Sequence, residues 1–288
     1  MRKITLSLVL LCATTLMAFR PVESQTRKVV NDMMAAISRA RGYTYVMKGT
    51  ERYRGGSNAF HINDIQTKVN VNPLKIYAKI LSDPNKGTEL LYAKGERSEK
   101  VRVNPGKYLP TLSLAATSSL LTKDQHHTLL TSGFSIVNQI LGDAVKRSDA
   151  QGKFDAAFHL EGDVKAGGKD CYKLVIDDPT YTVVMKTAQA GENLYTFCKR
   201  LLISEYSVME LNPSIKNHDT DVSNKTLKVP SSFARKTVIL IDKETMFPVS
   251  QEMSDDKGVF EKYEYSNLVL NPVFKADEFT ETYSGYSF

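Results

Sequence analysis

Few residues of this sequence have the types and spacing that catalysis needs. Cys198 is a potential nucleophile, with His159 or His218 as its base. However, Cys198 falls on the apolar stripe of a short predicted helix, and that position favours packing over reactivity. The HExxH, GxSxG, CxxC and glycine-rich phosphate-loop motifs are absent from the sequence. The sequence therefore predicts a non-enzymatic protein that holds no cofactor and no metal.

Two other groups of polar residues occur as adjacent pairs. His126 and His127 could offer one metal ligand or a pH-sensitive contact. Because adjacent side chains point apart on a helix or a strand, an ordinary loop pair is the favoured interpretation. The aspartate pairs at 177–178 and 255–256 fall at predicted turns, where Asp makes local hydrogen bonds. Neither group predicts a catalytic centre.

Composition and charge exclude several classes of protein. The 288 residues are 42% hydrophobic and 24% charged, which is typical of a folded globular chain rather than a disordered one. The formal net charge of +6 is small, and the basic residues are scattered. The sequence therefore predicts no nucleic-acid groove.

The first 24 residues predict export. Arg2 and Lys3 precede an apolar stretch over residues 4–19 that is too short to span a bilayer, which is typical of a secretory signal peptide. We expect cleavage after Ser24, with cleavage after Ala18 as the alternative. The mature protein is then expected in the periplasm or elsewhere in the cell envelope.

Only two cysteines, Cys171 and Cys198, lie beyond the predicted signal peptide. They would be able to form a disulfide in an oxidising compartment. Each also has apolar neighbours, among which a buried free thiol packs equally well. Both interpretations stay open at the level of sequence.

Hydrophobic periodicity predicts an α+β fold. Apolar residues recur at helical spacing over residues 26–41 and again over residues 133–146. Short β-branched and aromatic segments, separated by turn residues, predict strands at 43–47, 65–71, 74–81, 89–93, 99–103, 154–160, 171–176, 237–241, 249–253 and 259–268. We therefore expect a sheet of consecutive antiparallel hairpins, while residues 108–132 show no clear period.

The pattern changes over residues 181–231, where a strand, two short helices and a second strand follow one another. Asn193 and Ser204 are placed as N-caps of the two helices. We infer a small βααβ module inserted into a loop of a host domain that comprises residues 25–180 and 232–288. Such an insertion is expected to make few contacts with its host.

Over this module the sequence resembles the LysM family of glycan-binding modules. The resemblance rests on residues 191–195, 199–200, 203–204, 210–213 and 227–230, and departs from the family at Leu202 and Asn224, where glycine is usual. It implies binding of N-acetylglucosamine polymers, chiefly peptidoglycan, between two loops, with Leu194 and Ile215 covering sugar faces. The implied glycan-binding residues are Ala190, Gly191, Glu192, Asn193, Leu194, Tyr195, Asn212, Pro213, Ser214, Ile215 and Lys216.

The host sequence resembles the lipoprotein-carrier family (LolA/LolB-like) and an uncharacterised secreted branch of it. The matching segments are 73–79, 86–92, 241–242, 247–249, 263–268 and 271–272, together with Phe279. The resemblance implies a curved antiparallel half-barrel sheet covered by helices, whose concave apolar face accepts acyl chains. Either the apolar residues at its helices line such a cavity or they fill a packed core; these residues are Met33, Met34, Phe134 and Leu141.

The two resemblances together predict a non-enzymatic cell-envelope protein. Its module would bind peptidoglycan, and its half-barrel would bind lipid or the acyl chains of lipidated proteins. A cell-wall turnover enzyme with an unrecognised active site is one alternative, and a protein-binding envelope scaffold is another.

Overall fold

The structure, a computed structural model, describes residues 23–55, 59–106 and 109–288. The signal peptide predicted over residues 1–24 lies outside these residues except for its last two positions, and so does the alternative cleavage site at Ala18. Every helix in the described part of the chain is too short or too polar to cross a membrane.

The described strands are mostly joined by short turns, as the sequence predicts. They are β1 (Gly42–Arg52), β2 (Phe60–Asn70), β3 (Lys75–Ile80), β4 (Glu89–Ala93), β5 (Lys100–Asn104), β6 (Leu112–Ala115), β7 (Phe158–Ala166), β8 (Lys169–Asp177), β9 (Val183–Thr187), β10 (Thr226–Pro230), β11 (Lys236–Asp242), β12 (Pro248–Asp255) and β13 (Gly258–Leu270). Among them, β6 lies in the segment that shows no clear sequence period.

Eleven of these strands form one antiparallel sheet in the order β6-β5-β4-β3-β2-β1-β13-β12-β11-β8-β7. Most neighbours are consecutive in the chain, which confirms the predicted hairpins, while β1 pairs with β13 and β8 pairs with β11. Register shifts interrupt four of the pairings, and bulges of this kind increase the twist and bend of a strand. The result is the predicted α+β fold, an open half-barrel covered on one face by helices.

The covering helices are α1 (Gln25–Arg39), α2 (Ser119–Thr122), α3 (Phe134–Ala150) and α4 (Phe154–Ala157). The hydroxyl of Ser24 caps α1 by accepting a hydrogen bond from the backbone N–H of Arg27. The backbone at Gly133, which precedes α3, has a φ of +95°, a conformation that glycine adopts without strain. Both long helices lie close to the predicted ranges, and α3 continues four residues further.

The strand predicted over residues 154–160 is wrong at its beginning. Residues Phe154–Ala157 form the short helix α4, and β7 starts only at Phe158. Phe154 and Phe158 are four residues apart, and their rings stack at 4.5 Å between centroids. A helical turn brings residues at this spacing onto one face, so both rings become buried, whereas an extended strand would keep them apart.

The inserted segment forms the predicted βααβ arrangement. The helices α5 (Leu194–Leu201) and α6 (Glu205–Leu211) lie between β9 and β10, which pair as a two-stranded antiparallel sheet. Asn193 and Ser204 cap the two helices as predicted. The two positions where glycine is usual, Leu202 and Asn224, have φ values of +52° and +58°. Their backbone is therefore left-handed, although neither residue is glycine.

The contacts between the module and its host are few, but several of them are buried. The ring of Tyr206 on α6 stacks on that of His126 at 4.0 Å between centroids. Its hydroxyl also accepts a hydrogen bond from Nε of Arg52 at 2.9 Å. Tyr206 further belongs to a buried cluster with Phe233 and Phe260. Because aromatic and charged side chains of both parts are buried against each other, module and host share one small buried cluster beside their separate cores.

Cys171 and Cys198 are both free and buried in the structure. Cys171 lies on β8 of the large sheet, and Cys198 lies in the apolar core of the module. Burial raises the pKa of both thiols. The structure thus places them as packed thiols in separate cores, the second of the two interpretations left open by the sequence.

Candidate functional site

A cavity of about 810 Å³ lies between the concave face of the large sheet and the helices α2 and α3. Its volume falls within the range of about 300–1,000 Å³ that is usual for small-molecule sites. The side chains that point into it alternate along each strand with those on the convex face, as the pleat requires. The cavity is therefore a direct product of the curvature of the sheet.

Most of the cavity wall is apolar. The strands β2 to β6 contribute aliphatic side chains, and α3 closes the cavity with a stripe at helical spacing. The strand residues are Ile65, Ala78, Ile80, Leu90, Val103 and Leu114, and the helix residues are Ile136, Val137, Ile140, Leu141 and Ala144. A wall of this composition suits a hydrocarbon chain, which gains about 0.8 kcal/mol for each methylene removed from water.

Of the four residues that the sequence proposes for the cavity, one lines it and three belong to the packed core. Leu141 lines the cavity. Met33 and Phe134 have no exposed surface and pack in the core, where the Phe134 ring contacts that of Tyr43 at 5.1 Å between centroids. Met34 packs against the same core and is partly buried. The lining thus comes mainly from strand residues and from the middle of α3.

The rim of the cavity carries exposed apolar side chains. Leu112 on β6 is 39% exposed and Leu120 on α2 is 74% exposed, and both also belong to the cavity lining. Their exposure here makes the apolar lining continuous with the protein surface.

One end of the cavity is polar. Glu51 on β1 and Glu261 on β13 occupy inward positions, directly opposite each other in the register of the two strands. The hydroxyl of Tyr263 donates to Oε1 of Glu51 at 2.5 Å. Oε2 of Glu261 lies 3.1 Å from Nδ1 of His126 and 3.1 Å from Nε2 of His127. A buried network of carboxylates and imidazoles therefore closes this end.

The interpretation of His126 and His127 as an ordinary loop pair is wrong. Their backbone is neither helix nor strand, so the two rings converge on one carboxylate instead of pointing apart. Glu51 also accepts a hydrogen bond from the backbone N–H of His126 at 2.8 Å. Sequence reasoning missed both carboxylates. Glu51 lies beyond the strand predicted over 43–47, whereas the charge of Glu261 within the apolar strand predicted over 259–268 was a usable signal.

The network shifts the pKa values of its members. Burial alone would raise the pKa of Glu261, but the charge of His127 and hydrogen bonds from both histidines lower it to about 2. Burial would lower the pKa of His127, but the charge and hydrogen bond of Glu261 raise it to about 10. Burial raises the pKa of Glu205, which faces the pair from α6, to about 7. At neutral pH Glu261 and His127 therefore form an ion pair.

The residues proposed for catalysis have other partners. Nε2 of His159 lies 3.0 Å from the carbonyl oxygen of Ala156, and Nε2 of His218 lies 3.1 Å from that of His126. Cys198 is enclosed in the module core. Among the described residues, no group of three or more His, Cys, Asp or Glu side chains is arranged to hold a metal ion.

The residues proposed for glycan binding differ in exposure. Those that are exposed are Ala190, Gly191, Pro213, Ser214 and Lys216, those partly buried are Glu192, Asn193 and Asn212, and those buried are Leu194, Tyr195 and Ile215. Leu194 and Ile215 have exposed fractions of only 0% and 4% because they form the module core, so neither shows a face that could cover a sugar.

The second of the two glycan-binding loops is held by the host. Nη1 of Arg54, just beyond β1, donates to the carbonyl oxygens of Ile215 and Lys216 at 3.1 and 3.3 Å. The backbone N–H of Gly55 donates to the carboxylate of Glu210 at 2.7 Å. Two acceptors of this loop are therefore already used within the protein.

A family model for a protein of unknown function (DUF1571) matches residues 40–191, which is more than half of the chain. The chain belongs to the DUF1571 family. The DUF1571 match contains β1 to β9 and the helices α2 to α4, and it ends before α5. It thus includes Glu51, His127 and much of the apolar cavity wall. No curated protein matches the chain.

Several solved structures are similar to this DUF1571 chain. A DUF1329 family protein from Desulfovibrio piger has 10% identity and a TM-score of 0.35, over 90% of this chain and 98% of that one. The lipoprotein LppX from Mycobacterium tuberculosis has 11% identity and a TM-score of 0.39, over 86% and 96%. A LolA superfamily protein from Nitrosomonas europaea has 9% identity and a TM-score of 0.32, over 91% and 100%.

Proposed function

We propose that this protein binds the hydrocarbon chain of a lipid or a lipidated protein in the half-barrel cavity, as a non-enzymatic carrier of the cell envelope. The observation that carries the proposal is the cavity itself, which is large, mainly apolar and continuous with an apolar rim. The sequence resemblance of the host to lipoprotein carriers supports the same function. The predicted signal peptide supports an exported location.

The size of the cavity makes useful affinity attainable. Each methylene that leaves water contributes about 0.8 kcal/mol, so two more methylenes strengthen binding by roughly 1.6 kcal/mol, or more than tenfold. Association costs offset part of this gain, and a chain of moderate length still reaches micromolar affinity. We therefore expect affinity to rise with chain length until the cavity is filled.

Titration with a fluorescent acyl probe tests the proposal. We expect saturable binding to the wild-type protein and strong weakening by Ala144→Trp, which fills the cavity from α3. The matched control is Lys146→Trp, at an exposed position of the same helix that is outside the lining, and it should bind as the wild type does. Equal binding by both variants, or no saturable binding by the wild type, would contradict the proposal.

Binding of peptidoglycan by the module is the second candidate function. Its support is the LysM-like sequence, the βααβ arrangement and the exposure of Ala190 and Gly191 on one loop and of Ser214 and Lys216 on the other.

Co-sedimentation with insoluble peptidoglycan tests this second function. We expect the wild-type protein to sediment and Ala190→Trp to reduce the bound fraction by obstructing the first loop. Met185→Trp, at an exposed position of β9, is the control and should sediment normally. If all three proteins sediment equally, or none does, the loops do not bind glycan.

A further inference from the structure

The polar end of the cavity contains two buried polar atoms that the protein leaves without a partner. Among the described residues, Oε1 of Glu261 and Oγ1 of Thr128 are buried and make no hydrogen bond. Both residues belong to the cavity wall. A buried acceptor without a donor costs about 1–3 kcal/mol, and more when it is charged, so such atoms are rare in native proteins.

The two oxygens of Glu261 differ in their surroundings. Oε2 lies 3.1 Å from Nδ1 of His126 and 3.1 Å from Nε2 of His127, and the Tyr263 hydroxyl lies 3.4 Å away. Oε1 of the same carboxylate accepts no hydrogen bond, although the side chain has no exposed surface. The histidines hold the carboxylate in a fixed orientation, so Oε1 is a pre-oriented acceptor.

The charges around this end favour a particular kind of ligand group. Glu51, Glu205 and Glu261 surround His127, whose raised pKa makes it the cation of the ion pair. The Arg52 guanidinium is already bound to Asp255 and to the Tyr206 hydroxyl. A negatively charged group placed here would meet carboxylates without a free buried cation.

Resting on the proposed function, we propose that this end binds the head group of the amphiphile, and that the head group donates hydrogen bonds and carries no negative charge. A hydroxyl or an amine meets both conditions. It donates to Oε1 of Glu261, while Thr128 supplies a second polar contact. The hydrocarbon chain then extends along the apolar wall between β2–β6 and α3.

Displacement of the fluorescent acyl probe by four ligands of equal chain length tests this inference. Dodecylamine and monolauroylglycerol carry donors, dodecyltrimethylammonium carries a cation without a donor, and laurate carries an anion. We expect the first two to bind about tenfold tighter than the other two, which corresponds to one hydrogen bond to a charged acceptor.

Substitutions identify the acceptor. In Glu261→Gln the amide oxygen stays with the histidines and the NH₂ group replaces Oε1 as a donor, so the preference for donor head groups should be lost. Glu264→Gln, at an exposed position on the convex side of the same strand, is the matched control and should keep it. Thr128→Val leaves the ion pair intact and should weaken monolauroylglycerol by about threefold or more.

The outcomes separate this inference from the proposed function. If no ligand displaces the probe, the cavity does not bind acyl chains and the proposed function fails. If all four ligands displace it equally, the proposed function stands and the head-group site is overturned. Tightest binding of laurate, which the exposed lining residues Lys123 or Lys153 would explain, also overturns the inference.

Discussion

His127 is the partly buried cation of an ion pair with Glu261, and the carboxylates around it come from three different segments of the chain. The titratable side chains around it are Glu51, Glu205, Glu261, His126, His218 and Tyr263. Its pKa in the folded protein is about 10, against an ordinary value of 6.5. The folded state therefore retains a proton that the unfolded state releases at lower pH.

A pH dependence of stability follows from this difference. The contribution of His127 is fully present below pH 6.5 and is lost as the pH rises through about 10. The raised pKa of Glu205 adds a loss at lower pH, between 4.5 and about 7. We expect the free energy of unfolding, measured in urea, to fall between pH 6.5 and 10 and to fall much less in His127→Gln.

The control for this experiment is His159→Gln, at an exposed position of β7. It should keep the pH dependence of the wild type. An identical slope in wild type and His127→Gln would show that His127 is not the group that titrates.

Arg52 is a buried guanidinium that joins the sheet to the module. It pairs with Asp255 and donates to Tyr206, while the neighbouring Asp256 pairs with the half-exposed Arg235. We expect Arg52→Met to lower the free energy of unfolding by about 2–4 kcal/mol, because it leaves Oδ2 of Asp255 and the Tyr206 hydroxyl without partners. Arg235→Met should change it by less than about 1 kcal/mol. Similar losses in urea denaturation of the two variants would contradict this expectation.

At the scale of elements, the start of α3 depends on a close contact with β1. The Tyr43 hydroxyl accepts a hydrogen bond from the backbone N–H of Phe134 at 3.1 Å. A Cβ added at Gly133 would lie 2.3 Å from that hydroxyl oxygen, in a backbone conformation with φ of +95°. Space and conformation both require glycine here.

Gly133→Ala should therefore displace the first turn of α3 and destabilise the protein by about 3 kcal/mol or more. Gly152→Ala is the matched control, since its φ is +64° but nothing lies within 4 Å of the added Cβ. It should cost only about 1 kcal/mol. A much larger fall in melting temperature for Gly133→Ala than for Gly152→Ala is expected from the contact with Tyr43. Equal falls would instead show a general intolerance of alanine at positive φ.

At the scale of the whole molecule, the module and the host are joined by a short junction and by the buried cluster around Tyr206. The backbone N–H of Asp178 donates to the carbonyl oxygen of Arg235 at 2.8 Å, so the two ends of the insertion are adjacent. A deletion that joins them is therefore geometrically simple. It nevertheless removes Tyr206 and Phe233 from their packing against Phe260.

We expect the protein without residues 179–234 to melt at a lower temperature and less cooperatively than the wild type, as followed by near-ultraviolet circular dichroism. The deletion removes Tyr206 of the module and Phe233 of the host, and it therefore exposes the His126 and Phe260 rings against which they pack. The full-length variant Tyr206→Ala should show part of the same loss. A deletion protein that melts like the wild type would mean that the host folds independently.

Local patterns in the sequence determined much of the architecture. Alternating apolar residues predict the strands, helical spacing predicts α1 and α3, and capping residues such as Asn193 and Ser204 predict where the module helices begin. These signals succeed because each depends on residues a few positions apart. The main local error, at residues 154–157, arose because spacing of four between Phe154 and Phe158 also fits an alternating pattern.

Only the tertiary structure decided the site. Glu51, His127 and Glu261 are separated by long stretches of chain and meet because β1 pairs with β13 while the loop before α3 folds over both. The cavity likewise depends on the distance between a curved sheet and α3, which is a volume that no residue pattern encodes. Periodicity reports which face of a strand is apolar, and packing alone decides whether that face is filled or left open.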